Sequence, residues 1–160
     1  MDAKLKKVLI ALDYDPTAQK VAEVGFSLAK AMSAQVTLLH VIADPVYYTS
    51  LEHITVMGFA GYKDITPIQN DTLEKVINDS REFLRKSKQH LGDDSIETVV
   101  KEGDIADSIL KTATDLNSDF IVMGSHSSKW IEKIIMGSVA EKVLSHSSIP
   151  MFIIPTKKTN

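Results

Sequence analysis

The sequence predicts an α/β domain, a single open sheet of five mainly parallel strands with helices on both faces. Two observations carry the prediction. Short strand-like segments at Val8–Leu12, Val36–Ile42, Ile96–Val100, Phe120–Met123 and Met151–Ile154 alternate with longer segments of helical spacing, the pattern of a parallel sheet covered on both sides. The chain has 160 residues, 44% of them apolar, which suits one domain with a real core.

The elements follow in order. Val8-Leu9-Ile10-Ala11-Leu12 is unbroken and apolar, and Asp13-Tyr14-Asp15-Pro16 stops it. Asp15 suits a helix cap and Pro16 a first turn. Val21, Val24, Leu28, Ala31 and Met32 then recur at helical spacing over Thr17–Met32. Val36–Ile42 is the second strand, with His40 packed inside it. Ala43–Pro67 contains two prolines, two glycines and four aromatic residues, and yields no defined element; such a long connection in a small domain is usually functional. Ile68–Leu91 returns to helical spacing, and Gly92 is placed to stop it. After the third strand, Gly103-Asp104 opens a helix over Ile105–Leu116, with Asp104 as its cap and Ile105, Ile109 and Leu110 facing inward. The fourth strand, a helix containing Val139–Leu144, and the final strand complete the pattern. Right-handed crossovers are expected. Residues 1–156 form the domain, and 157–160 a frayed tail.

Composition excludes several classes. A net charge of −3 argues against nucleic acid as the partner. The absence of cysteine removes disulfides, thiolate metal sites and cysteine nucleophiles, and fits a reducing compartment. The first apolar run is too short for a signal peptide, and nothing approaches the roughly 20 apolar residues of a membrane span. A cytoplasmic protein is expected, with no membrane partner.

The chemistry concentrates in Asp119–Ser138, DFIVMGSHSSKWIEKIIMGS. A strand ends in Gly124, a polar loop follows, and Gly137-Ser138 opens a helix. Glycine permits close backbone approach, and a helix N-terminus offers unpaired N–H groups to an anion. Ligands in open α/β sheets bind beyond the carboxyl ends of strands, which singles out Asp13, Val41 and Gly124. A nucleotide site is the expected result. It lacks the Gly-Lys-Ser/Thr of a P-loop, and no glycine-rich fingerprint follows the first strand. His146 beside Ser145 lacks the converging acid and oxyanion donors of a nucleophile triad.

VLIALD, LLHVI, VKEGDIADSIL, DFIVMGSHSS and MGSVAEKVL together resemble the universal stress protein family over nearly the full chain. Nucleotide-binding members carry Gly, two residues, Gly, nine residues, Gly, then Ser or Thr. The corresponding positions here are Gly124, Ser127, Gly137 and Ser138, with the spacing intact and serine in place of the second glycine. The resemblance implies a cofactor set of Ala11, Leu12, Asp13, Val41, Met123, Gly124, His126, Ser127, Ser128, Gly137, Ser138 and Val139. In that set Asp13 lies near adenine or ribose, and Val41 offers backbone groups to the adenine edge. Gly124 lets the loop pass near ribose and phosphates, His126 lies beside them, and Ser127 donates its N–H. Gly137 and Ser138 hold the phosphates. If position 127 needs positive φ, serine is strained there by about 1–3 kcal/mol; if φ is negative, its hydroxyl is a further phosphate contact.

The implied ligand is ATP, or ADP or AMP, with Mg2+ or Mn2+, and the implied role is regulatory, with slow hydrolysis at most. The alternatives are a dimeric interaction module of the same fold that binds no nucleotide, and an adenylating or nucleotide-hydrolysing enzyme. No metal-ligand set is readable. The final strand, Ile149–Pro155, presents an apolar edge that invites pairing, and the resemblance implies a homodimer joined there.

Overall fold

The computed structural model describes residues 6–13, 17–43, 70–125 and 136–156. Asp15, Pro16, His126, Ser127, Ser128 and nearly all of the Ala43–Pro67 connection lie outside these residues.

Five strands and four helices are present among the described residues: β1 (Lys7–Ala11), α1 (Ala18–Ala31), β2 (Gln35–Ile42), α2 (Asn70–Leu91), β3 (Glu97–Glu102), α3 (Ile105–Asp115), β4 (Phe120–Gly124), α4 (Ser138–His146) and β5 (Met151–Ile154). The strands form one sheet in the order β3-β2-β1-β4-β5, and every pair is parallel. The chain therefore runs outward from β1 through β2 to β3, then crosses to the other side of β1 for β4 and β5. The strand order reverses at β1.

Alternation along each strand divides the core in two. Val8, Ile10, Leu38 and Val122 pack with Val21, Ala22 and Ala29 of α1 and Leu84 of α2. Leu9, Leu39 and Ile121 pack on the other face with Ala106, Ile109 and Ala113 of α3 and Ala140 and Val143 of α4. Each large aliphatic side chain buried this way contributes about 1.5–3 kcal/mol, which is why the central strands read as apolar on both faces.

The helix boundaries follow local chemistry. Gly92 ends α2 with φ +72°, and its N–H bonds to the carbonyls of Lys88 and Gln89; a side chain is disfavoured there, as the C′ position predicts. Asp104 caps α3, its carboxylate accepting from the Asp107 N–H at 2.9 Å. That bond, with Lys142 beside it, holds the Asp104 carboxyl below its ordinary pKa. Helix α1 differs from expectation. It begins at Ala18 with Thr17 at the cap position and no side-chain cap bond, so Asp15 lies two residues ahead of the cap. The strand ends also shift by a residue or two: β1 begins at Lys7 and leaves out Leu12, and β3 runs on to Glu102.

Candidate functional site

The end of β1 builds the site. Parallel pairing with β2 runs from Lys7↔Gln35 to Ala11↔Leu39. One further bond follows, from the Leu12 N–H to the Leu39 carbonyl at 2.8 Å. Strand β2 continues to Ile42 along β3, so it projects past β1. Successive peptide groups of a strand face opposite edges. Ile42 faces β3, since its carbonyl accepts from the Gly103 N–H at 2.9 Å. Val41 faces the other way, into the space that β1 has vacated.

A cavity of about 500 Å³ occupies that space, within the range of small-molecule sites. Leu39, Val41, Ile109, Met123 and Ala140 give it an apolar floor, and Asp13, Thr17, Ser138 and Glu141 bring polar groups to its lining. Of the twelve residues anticipated for the site, nine line this one cavity: Ala11, Leu12, Asp13, Val41, Met123, Gly124, Gly137, Ser138 and Val139. The three anticipated between them, His126, Ser127 and Ser128, fall outside the described residues.

Helix α4 enters the cavity by its N-terminus. Gly137 is the cap residue, with φ −62° and ψ 156°, a conformation open to any residue. Its N–H donates to the Ser125 carbonyl at 2.7 Å, and its carbonyl accepts from the Glu141 N–H at 2.9 Å. The donors left without an intrahelical acceptor are therefore those of Ser138, Val139 and Ala140. Both Ser138 and Val139 were anticipated; Ala140 was not.

Gly124 is a glycine for a reason inside the protein. A Cβ there would stand 2.8 Å from Thr156 Cγ2 and 3.2 Å from Val21 Cγ2. Thr156 closes this corner from beyond β5. Its N–H donates to Ser125 Oγ at 3.1 Å, the two hydroxyls lie 3.3 Å apart, and the Ser125 N–H donates to the Ile154 carbonyl at 2.9 Å. Ser125 and Thr156 both line the cavity and were missed from the sequence. The strand-end rule, applied to β5 as it was to β1 and β4, would have pointed to Thr156. Ile105 and Ile109 were read as core; they are core and cavity wall at once.

Across the cavity wall, Lys142 of α4 reaches Asp104 and Asp107 at the start of α3, each at 3.3 Å. The pairs are exposed and worth little individually, but they join the two helices that carry one side of the site. No helix among the described residues is long and apolar enough to cross a membrane.

The universal stress protein family model matches residues 4–155. The chain belongs to the universal stress protein family. It is 26% identical over 162 residues to universal stress protein MJ0577 of Methanocaldococcus jannaschii, covering 99% of this chain and 100% of that protein. It is 28% identical over 165 residues to the stress response protein NhaX of Bacillus subtilis, covering 92% and 96%. Solved structures agree on the fold. The MJ0577 structure superimposes with a TM-score of 0.70 at 24% identity over 98% of this chain and all of that one. A universal stress protein solved in complex with cAMP gives 0.62 at 17% identity, covering 97% of this chain and 100% of that one.

Proposed function

We propose that this universal stress protein is an adenine-nucleotide-binding regulatory protein whose ligand occupies the cavity past the end of β1. The observation that carries the reading is the convergence there of unlike groups. An apolar slot floored by Leu39, Val41 and Met123 suits a planar base. The Val41 backbone at its edge suits the hydrogen-bonding rim of adenine. Asp13 at the mouth suits ribose hydroxyls, and the Ser138, Val139 and Ala140 N–H groups of α4 suit phosphate oxygens. ATP is the leading ligand, with ADP, AMP and cyclic AMP in the same chemical class; the cAMP complex of a relative supports including the last. Among the described residues no three His, Asp or Glu side chains gather to hold a metal ion, so Mg2+ or Mn2+ enters this reading on the phosphates. Ligand binding, rather than turnover, is the output, and any hydrolysis is slow.

A homodimer through β5 belongs to the same proposal. Strand β5 is a sheet edge, and Met151, Phe152 and Ile153 on it are only half-buried, which suits pairing with a second copy. A cytoplasmic setting completes it.

Calorimetric titration of ligand-stripped protein with ATP and magnesium, then with AMP and cyclic AMP, tests the nucleotide reading. Micromolar binding of any of them supports it. A folded protein that binds none up to millimolar concentration refutes it and leaves the interaction module of the same fold. Light scattering of Phe152→Lys tests the dimer: a monomer is expected, and an unchanged dimer places the interface elsewhere.

A further inference from the structure

We infer that His40 is a positioning residue for the ligand: its imidazole captures the Leu12 carbonyl, ends the β1–β2 ladder one rung early and so leaves the Val41 N–H directed into the cavity. The inference rests on the nucleotide reading above and adds the residue that creates one of its donors.

The argument starts from the ladder. A parallel pair alternates its bonds: once the Leu12 N–H donates to the Leu39 carbonyl, the next rung is the Val41 N–H to the Leu12 carbonyl. That rung is absent. The register stops at Ala11↔Leu39, Leu12 lies outside β1, and among the described residues no backbone bond joins Val41 to Leu12. The Leu12 carbonyl is instead 2.8 Å from His40 Nδ1.

His40 is built for this bond. Its side chain is buried, with 4% exposure, and its ring meets Phe83 of α2 edge-on, centroids 5.8 Å apart and planes at 72°. Burial lowers its pKa below the ordinary histidine value, the Leu12 carbonyl opposing, so the ring is neutral near pH 7. A neutral ring has a single N–H, and a nitrogen facing a carbonyl oxygen is the one that carries it. A polar ring in an otherwise apolar stretch of strand is costly to bury without such a bond; leucine there would satisfy the core alone.

Two consequences reach the ligand. The Val41 N–H, facing the cavity edge, is available to a base. The captured carbonyl also belongs to the Leu12–Asp13 peptide, so His40 orients the peptide that carries Asp13 to the cavity mouth.

The test uses the full chain and three readouts, with adenosine as the binding probe because it isolates base and ribose from phosphate. In wild type, nitrogen chemical shifts should show His40 as the Nδ1–H tautomer; the Nε2–H tautomer overturns the inference. In His40→Leu, the freed carbonyl should complete the rung, slowing amide exchange at Val41 by about tenfold or more and weakening adenosine on the order of tenfold, the worth of one hydrogen bond. Unchanged exchange or unchanged affinity overturns it. His40→Asn places an amide N–H near the Nδ1 position and should restore both readouts to within about threefold; a variant that folds but behaves like His40→Leu overturns it. If His40→Leu does not fold, the tautomer and the asparagine variant decide. If wild type binds neither adenosine nor ATP, the nucleotide reading and the ligand half of this inference fail together, while the tautomer and Val41 exchange still judge the ladder.

Discussion

The two ends of the sheet are built in opposite ways. At the amino ends the backbone is tied across strands. The Lys7 N–H donates to Asp119 Oδ2 at 2.8 Å, the Asp119 N–H donates to the Lys7 carbonyl at 2.8 Å, and the Gln35 N–H donates to the Lys6 carbonyl at 2.8 Å. At the carboxyl ends β1 stops short of β2, α4 arrives with donors unclaimed by its own helix, and a cavity opens. One end closes its hydrogen bonds across strands; the other leaves the first N–H groups of a helix at a cavity. The contrast teaches where substitutions should be read as stability and where as binding.

Gly124→Val should have the largest effect, because Gly124 belongs to the cavity and the packing together. Its new Cβ would meet Thr156 at 2.8 Å, and overpacking of this kind costs about 1–3 kcal/mol or more. Chemical denaturation should show that loss, and ATP binding should fall with it. Stability equal to wild type would show that Thr156 yields easily and that the corner is softer than its geometry.

Asp119→Ala probes the closed end. It strips the acceptor from the half-buried Lys7 N–H, at a cost of about 1–3 kcal/mol. Denaturation midpoints should fall while nucleotide affinity holds. An affinity loss as large as the stability loss would erase the contrast between the two ends.

Ser138→Pro probes the open end alone. Position 138 is the first residue of α4 and follows an extended Gly137. Proline is tolerated there, since it deletes an N–H that the helix does not use. Melting temperature should stay within a few degrees while ATP affinity falls on the order of tenfold, about 1.4 kcal/mol. Unchanged affinity would remove α4 from the phosphate site.

The smallest effect is one of pH. The folded-state pKa of His40 is depressed, so the unfolded chain binds the extra proton first. Its contribution to stability is fully present above the unfolded value of about 6.5 and declines as pH falls from there toward the folded value. Unfolding free energy measured from pH 7 down to pH 5 should decline less steeply in His40→Asn than in wild type. Parallel slopes would mean that the ring protonates as easily folded as unfolded.

The sequence made the fold legible because strands buried on both faces need apolar runs, and Val8–Ala11 and Phe120–Met123 have no other use for them. The cavity was legible for the same reason: strand ends fix where a ligand can sit, and Asp13, Val41 and Gly124 stand at three of them. What could not be read was the last rung of β1. Leu12 continues the apolar run and reads as strand, yet a side chain two elements away in the sequence, His40, takes its carbonyl. His40 itself read as packed, which it is; nothing in its neighbours in sequence shows the bond. Ser125 was invisible because its pairing with Thr156 links residues 31 apart through a contact that only the folded corner brings about.

Among the described residues, Ser125 makes four attachments at once. Its N–H holds Ile154 at the end of β5, its hydroxyl takes the Thr156 N–H and lies against the Thr156 hydroxyl, and its carbonyl holds the Gly137 N–H at the head of α4. Mechanically, that makes it a pin between the outer strand and the helix whose N-terminus lines the cavity. The end of the sheet edge and the head of that helix, both at the cavity, are thereby joined through one residue.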